Sequence, residues 1–197
     1  MTIRQKLLRT IYPFFLRVSS LFGRHRRVLH NEAGATPAAS LYDLSVPLAT
    51  GETLPLARFR GRKLLLVNTA SDCIYTSQYE ELQALQAQFG DAIAIIAFPS
   101  NDFKEQEKGS DSAIAEFCRT AFGLSFPIAH KAPVRPGAGQ QPVYRWLTDR
   151  AQNGWNSQPP SWNFSKYLVD EEGRLTHYFD PAVSPTGASL LDAVKGG

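Results

Sequence analysis

Two continuous apolar runs, each followed by a helical pattern, constrain the fold of this chain more than any other feature. Residues Lys63 to Asn68 and Ala92 to Phe98 have the composition of strands that are buried on both faces of a sheet. The segments after them, Gln78 to Phe89 and Ser112 to Phe122, carry apolar residues at helical spacing. Because the order is strand, helix, strand, helix, we expect the two strands to pair in parallel within an α/β fold.

Further elements flank this central unit on both sides. Tyr42 to Leu56 predicts a hairpin that turns near Gly51, and Tyr167 to Val169 with Leu175 to Phe179 predicts a second hairpin. Ser189 to Val194 predicts a short closing helix. The elements together predict a mixed central sheet with helices on both faces.

Three loops are candidates for a functional site, because open α/β sheets carry their chemistry beyond the carboxyl ends of the strands. The loops are Thr69 to Thr76, Ser100 to Ser110, and the turn before Trp162 and Asn163. With 197 residues, of which 43% are hydrophobic, the chain is long enough for one such domain and an appendage. We expect residues 40–197 to form the domain and residues 1–39 to form a basic arm and a linker.

The arm has an amphipathic pattern. Residues 1–30 contain seven lysines and arginines and no acidic residue, whereas the net charge of the whole chain is only +3. Apolar residues recur there at spacings of three and four and define one helical face. The members of that face are Leu7, Ile11, Phe14, Val18 and Leu21.

Several roles fit the arm. It can contact a membrane surface peripherally, act as an organelle transit peptide, dock on its own domain, or remain a mobile basic tail. It is too short and too charged for a membrane span, because a bilayer core requires about 20 apolar residues. The rest of the chain has 14 basic and 18 acidic residues, so nothing in its charge favours nucleic-acid binding.

Cys73 is the candidate for chemistry, because it lies between a buried strand and a helix. Backbone N–H groups at a helix start stabilise a thiolate, and we expect them to lower the pKa of Cys73, although the neighbouring Asp72 opposes this. The alternative is a buried and inert cysteine. The only other cysteine is Cys118, so no disulfide framework is possible and a reducing, cytoplasmic location is expected.

Three sequence blocks resemble the glutathione peroxidase family. Its pattern V-N-x-A-S-x-C-G-x-T is matched by Val67 to Thr76, with Ile74 in place of the glycine. Its pattern F-P-C-N-Q-F-x-x-Q-E-P-G-S corresponds to Phe98 to Ser110, and W-N-F-x-K-F-L-V corresponds to Trp162 to Val169. The order and spacing of the blocks also agree, over roughly residues 41 to 195. The chain is most similar to cysteine-containing, short-loop, monomeric members of the bacterial type.

The resemblance implies a thioredoxin-like fold and a catalytic tetrad of Cys73, Gln106, Trp162 and Asn163. It also implies a thiol-dependent peroxidase, which reduces hydrogen peroxide or organic and lipid hydroperoxides through a sulfenic acid on Cys73. The physical logic is that neutral donors stabilise both the thiolate and the charge that develops on the leaving oxygen. No bound cofactor is implied, and glutathione or thioredoxin would serve as the reducing co-substrate.

The choice of reductant stays open. Some family members use a second, resolving cysteine, but Ser100 occupies the position where the second block has one. Cys118 is therefore the only candidate resolving residue, and its place on a predicted helix would require that helix to move.

The sequence gives weaker support to several other functions. A dithiol exchanger would require Cys-x-x-Cys, and Thr76 occupies the second cysteine position. A peroxiredoxin would have threonine where Ala70 stands. A redox sensor without turnover, or a membrane-associated interaction module, remains the principal alternative on the same fold. The four histidines have no spacing typical of metal ligands.

Overall fold

The computed structural model describes residue 3, residues 5–7 and 10–12, and residues 27–196. Seven strands and five α-helices follow in chain order from residue 27 onward. The strands are β1 (Val28–His30), β2 (Ser45–Pro47), β3 (Thr53–Pro55), β4 (Lys63–Thr69), β5 (Ile93–Pro99), β6 (Lys166–Val169) and β7 (Leu175–Phe179). The helices are α1 (Gln78–Phe89), α2 (Asp111–Phe122), α3 (Pro142–Leu147), α4 (Arg150–Asn153) and α5 (Ala188–Lys195). Short 3-10 helices cover Leu41–Asp43, Leu56–Phe59 and Ile74–Ser77.

The main sheet is mixed, with strand order β1-β7-β6-β4-β5. β4 and β5 pair in parallel, with Leu65 opposite Ile95, as the order of the elements predicts. β6 runs antiparallel to β4 and to β7, and β1 adds antiparallel to β7 at the edge. The predicted hairpin near Gly51 is also present, as the separate pair β2–β3.

The two faces of the sheet carry two hydrophobic cores, because successive side chains of a strand point to opposite sides. Leu65 and Val67 face the core that is covered by α1, α2 and α5. Leu64 and Leu66 face the core that is covered by α3 and the β2–β3 hairpin. All four leucine and valine side chains are fully buried, and burial of such a side chain contributes about 1.5–3 kcal/mol. Helices on both faces are therefore confirmed.

The two helices beside the candidate loops begin and end where local chemistry requires. α1 has the predicted bounds, and α2 begins one residue before the predicted Ser112. At the start of α2 the Ser110 hydroxyl accepts a hydrogen bond from the Ala113 N–H at 3.3 Å. The helix ends at Phe122, and the next residue, Gly123, has a φ of +62°, which glycine adopts more readily than residues with a side chain.

Two parts of the structure differ from expectation. The proline-rich stretch from Lys131 to Ser161 contains α3 and α4, where the sequence predicts no helix. Pro142 starts α3, a position that tolerates proline because its N–H would be unpaired anyway. β1 lies within the predicted arm and linker, so the sheet begins at Val28 rather than near Ser40. A three-residue edge strand is too short to show periodicity in the sequence.

Residues 3, 5–7 and 10–12 of the arm are helical and are called the N-terminal helix below, and two of them contact the domain. The Tyr12 ring is buried, and the Gln5 side chain donates a hydrogen bond to the Ser71 carbonyl at 3.0 Å. Leu7 and Ile11, from the predicted apolar face, are 57% and 39% exposed, so these two side chains face solvent. The remaining members of that face lie outside the described residues. No helix formed by the described residues is long and apolar enough to cross a membrane.

Candidate active site

Cys73 is the N-cap residue of the 3-10 helix Ile74–Ser77, which continues into α1. Its backbone N–H donates to the Thr76 hydroxyl at 3.0 Å, and that hydroxyl donates to the Ala70 carbonyl at 2.9 Å. The sulfur accepts a hydrogen bond from the Tyr75 N–H at 3.5 Å. The local sequence therefore fixes the turn and directs a helix-start N–H at the sulfur, as predicted for a cysteine at this position.

All three predicted loops meet at this turn. The Asp72 N–H donates to the Gln106 carbonyl at 3.1 Å, which joins the first loop to the second. The Asn68 side chain donates to the Trp162 carbonyl at 3.0 Å, and the Phe164 N–H donates back to the Asn68 carbonyl at 2.6 Å. Asn68 at the end of β4 thus holds the third loop against the first.

The four residues of the expected tetrad come together. Hydrogen bonds from the Asn163 amide and the Trp162 indole to the Cys73 sulfur both lower the pKa of the thiol. The Asn163 amide also donates to the Gln106 side-chain oxygen at 2.9 Å. Because Gln106 uses its oxygen in this contact, its amide N–H groups can serve as donors to another group. Neutral donors from one distant stretch, Trp162 and Asn163, therefore act on the sulfur, and Gln106 joins them through Asn163.

The protonation state of Cys73 differs from expectation. Burial raises the pKa of the thiol, and this outweighs the opposing hydrogen bonds from Tyr75, Asn163, Trp162 and Ile74. The sequence predicted a lowered pKa because it shows the helix start but not the depth of the site. The Cys73 side chain is fully buried in the described structure. The neutral donors therefore reduce the rise in pKa that burial causes, and they do not keep Cys73 permanently ionised.

Backbone strain is found on either side of the donors. Lys104 and Glu105, directly before Gln106, have φ values of +50° and +51°. Phe164, directly after Asn163, has a φ of +66°. Side chains disfavour this left-handed region, and such strain in proteins concentrates at functional sites where surrounding contacts over-determine the backbone. The neighbouring contacts hold both donor amides in place.

Glu107 is a member of the site that sequence reasoning did not single out, although it lies within the second block. Its side chain is 1% exposed and accepts a hydrogen bond from the Ser71 hydroxyl at 2.9 Å. Burial raises the pKa of Glu107 to about 7, despite the lowering effects of Ser71 and Lys131. The sequence has a glutamate on each side of Gln106, and only burial in the folded structure distinguishes Glu107 from the exposed Glu105.

Cys118 is buried in the same hydrophobic core as Cys73, and both cysteines are free thiols. Burial raises the pKa of Cys118 to about 12, against a smaller lowering effect from the neighbouring Tyr79 hydroxyl. A thiol with so high a pKa is a poor nucleophile at neutral pH. The resolving role of Cys118 therefore stays a prediction, and the high pKa of its thiol counts against it.

A cavity of about 500 Å³ opens beside these loops. Gln106, Glu107 and Ser71 form its polar side, Ile114 and Phe117 form an apolar wall on α2, and Gln5 of the N-terminal helix closes one edge. A space of this size is within the range that small-molecule ligands occupy.

Comparison with known proteins identifies the family. The family model described as Glutathione peroxidase matches residues 41–148, more than half of the chain. The chain belongs to the glutathione peroxidase family. Members of this family are peroxidases, so the protein is an oxidoreductase of the peroxidase class.

Relatives of this peroxidase occur in bacteria and yeast. It is 40% identical over 147 residues to the glutathione peroxidase homolog BsaA of Halalkalibacterium halodurans, a match that covers 74% of this chain and 92% of the relative. It is 36% identical over 152 residues to the glutathione peroxidase-like peroxiredoxin HYR1 of Saccharomyces cerevisiae, with 77% and 93% covered.

Solved structures confirm the thioredoxin-like fold. The crystal structure of T. cruzi GPX1 superimposes with a TM-score of 0.58 at 29% identity, and the match covers 79% of this peroxidase and 97% of that chain. A DsbF homologue from Corynebacterium diphtheriae has the same TM-score at 16% identity, with 86% and 91% covered, and shows likeness of fold alone.

Proposed function

We propose that Cys73 is the peroxidatic residue of a thiol-dependent peroxidase. The Cys73 thiolate attacks the terminal oxygen of a hydroperoxide, a sulfur–oxygen bond forms and the O–O bond breaks. The leaving oxygen takes up a proton and departs as water or an alcohol, and Cys73 is left as a sulfenic acid. The observation that carries the proposal is the convergence of Trp162 and Asn163 on the Cys73 sulfur.

The donors act on both ends of this step. Asn163 and Trp162 stabilise negative charge on sulfur, which counters the burial that raises the pKa of the thiol. Gln106 is held by Asn163 through its oxygen, so its N–H groups can donate to the leaving oxygen. None of the three side chains titrates, so the site does not lose its donors as the pH changes.

Substitution of each cysteine tests the assignment. We expect Cys73→Ser to abolish peroxide reduction with saturating thiol, and Cys118→Ser, the matched control, to retain it. Persistent turnover in the Cys73→Ser variant would refute the role of Cys73.

We assign regeneration to an external thiol, with glutathione or thioredoxin as the co-substrate. The high pKa of Cys118 and its complete burial disfavour rapid attack on a Cys73 sulfenic acid. Mass spectrometry after one equivalent of peroxide distinguishes the routes. A sulfenic acid or glutathione adduct on Cys73 supports direct reduction, whereas a Cys73–Cys118 disulfide means that Cys118 resolves and thioredoxin is the reductant.

A lipid hydroperoxide substrate is supported by the N-terminal helix. Ile3, Leu7 and Ile11 lie four residues apart and are exposed, and the first 30 residues contain seven basic and no acidic residues. An apolar stripe among positive charges fits a bilayer with anionic headgroups. Flotation of the whole chain and of a variant lacking residues 1–26, which keeps β1, on anionic and neutral liposomes tests this. Equal binding by both forms would remove the membrane contact.

The protein is proposed to act as a monomer in the reducing cytoplasm. Two free cysteines suit that compartment, and the segment from Lys131 to Ser161 lacks a long insertion of the kind expected to join subunits. Sedimentation of the full chain tests the oligomeric state, and a stable dimer or tetramer would contradict it.

One observation favours a second candidate, a redox sensor without turnover. The Cys73 side chain is completely buried, and a catalyst must admit both peroxide and reductant. A sensor would consume one equivalent of peroxide per chain and then stop in the presence of excess thiol. Continuous turnover under those conditions would exclude it.

A further inference from the structure

The N-terminal helix contacts the Cys73 loop on both sides of the cysteine. Two residues before Cys73, the Ser71 carbonyl accepts a hydrogen bond from the Gln5 side chain at 3.0 Å. Two residues after it, the Tyr75 ring packs edge-on against the ring of Tyr12, with centroids 6.3 Å apart. The family match begins only at residue 41, so these contacts come from outside the matched region.

Tyr75 connects these contacts to the sulfur. Its N–H donates to the Cys73 sulfur, and burial together with the charge of Cys73 raises the pKa of the Tyr75 hydroxyl to about 12. Tyr75 is 5% exposed, Tyr12 is 5% exposed, and the Cys73 side chain is fully covered. Tyr12 belongs to the same hydrophobic cluster as both residues. Tyr12 thus packs on the residue that lies beside the sulfur.

The anchoring of Tyr12 is specific. Its hydroxyl donates to the Glu81 carboxylate on α1 at 3.0 Å, so the helix is held by a ring contact and a hydrogen bond. Leu7, by contrast, is 57% exposed. Among the described residues of this helix, Gln5 and Tyr12 contact the Cys73 loop, and Tyr12 also contacts α1.

We infer that Gln5 and Tyr12 are positioning residues that close the Cys73 loop over the sulfur. While the helix is docked, Ser71 and Tyr75 are both held, and only small molecules reach the thiol. When the helix leaves, Tyr75 can move and larger reagents, including the reductant, gain access. The meaning of this gate for turnover rests on the proposed function, whereas access to the thiol can be measured separately.

The test is the rate of alkylation of Cys73 by a small reagent, iodoacetamide, and by a bulky maleimide, followed by peptide mass spectrometry. We expect Tyr12→Ala to accelerate the maleimide reaction by about tenfold or more. A tenfold change in an opening equilibrium corresponds to about 1.4 kcal/mol, less than the cost of truncating a buried aromatic ring. Iodoacetamide should gain much less, so the ratio of the two rates changes.

Three matched variants sharpen the test. Tyr12→Phe retains the ring but loses the hydrogen bond to Glu81, and should accelerate the maleimide reaction by about threefold, less than Tyr12→Ala does. Gln5→Ala loses one hydrogen bond and should accelerate the maleimide reaction by about threefold. Leu7→Ala, on the exposed face of the same helix, should change neither rate. Alkylation of Cys118 in the same samples reports opening of the whole domain.

The inference is overturned if Tyr12→Ala and Gln5→Ala both leave the ratio of maleimide to iodoacetamide rates unchanged. It is also overturned if Cys118 becomes reactive in parallel with Cys73 in both variants, because the helix would then only stabilise the fold. A change in access with no peroxidase activity in the wild type would support the gate and refute the proposed function.

Discussion

The buried carboxyl of Glu107 gives the strongest quantitative prediction. Glu107 is 1% exposed, and burial raises its pKa from 4.5 to about 7. Glu107→Gln keeps the size of the side chain and an oxygen that can accept from the Ser71 hydroxyl, but it removes the titrating group. The variant therefore isolates the effect of proton binding on the free energy of unfolding.

The sign follows from which state holds the proton. Between about pH 4.5 and pH 7 the carboxyl is ionised in the unfolded chain but protonated in the folded one. Stability present at low pH is therefore lost as the pH rises through this window, by about 1.4 kcal/mol per pH unit. Over the whole window the wild type loses about 3 kcal/mol that Glu107→Gln does not lose.

Denaturant unfolding of the wild type and of Glu107→Gln across this pH range measures the difference between their free energies of unfolding. The contributions of other titrating groups cancel in this difference. The matched control is Glu105→Gln, which makes the same change of charge at an exposed position on the other side of Gln106. Wild-type and Glu107→Gln stabilities that run parallel from low to high pH would refute the reasoning. They would mean that water reaches the carboxyl.

Further substitutions test other parts of the site. Asn163→Ala should slow iodoacetamide alkylation of Cys73 at neutral pH by about tenfold, because one hydrogen bond to the thiolate is lost. An unchanged rate would contradict the donor role of Asn163. Cys118→Ser should leave peroxide turnover with glutathione within about twofold of the wild type, and loss of turnover would make Cys118 the resolving residue. Lys166 is fully buried, and its pKa is lowered to about 7. The wild type should therefore gain stability as the pH rises from 7 to 10.5, because only the unfolded chain holds the proton there, and Lys166→Met should lack this gain. Equal pH profiles of the two proteins in denaturant unfolding would show that Lys166 stays charged.

Much of the fold could be predicted because its central strands are unambiguous. β4 and β5 are seven-residue strands buried at every position, so the sequence has apolar runs without alternation. β1 is different, since three residues with one half-buried side chain give no recognisable period. The helix α3 was missed because prolines on both sides indicate a loop, although proline is well tolerated at a first helical position.

The candidate site could also be predicted only in part. Position along the chain predicted that Cys73 lies between a buried strand and the start of a helix, and the sequence blocks predicted which residues approach it. The depth of the sulfur could not be predicted, because it depends on tertiary packing around Cys73, which includes Trp162 and Asn163 from a distant stretch of chain. The raised pKa values of Cys73 and Glu107 share this origin, since desolvation is a property of the packed fold.

Trapping of the oxidised cysteine tests the chemistry at Cys73 most directly. The reduced protein is treated with one equivalent of hydrogen peroxide in the presence of a sulfenic-acid-specific carbon nucleophile, and the adduct is located by peptide mass spectrometry. We predict one adduct per chain on Cys73, with Cys118 unmodified and a greatly reduced yield in Asn163→Ala. Peroxide consumption with the adduct on Cys118, or with no adduct or disulfide at Cys73, would contradict the assignment.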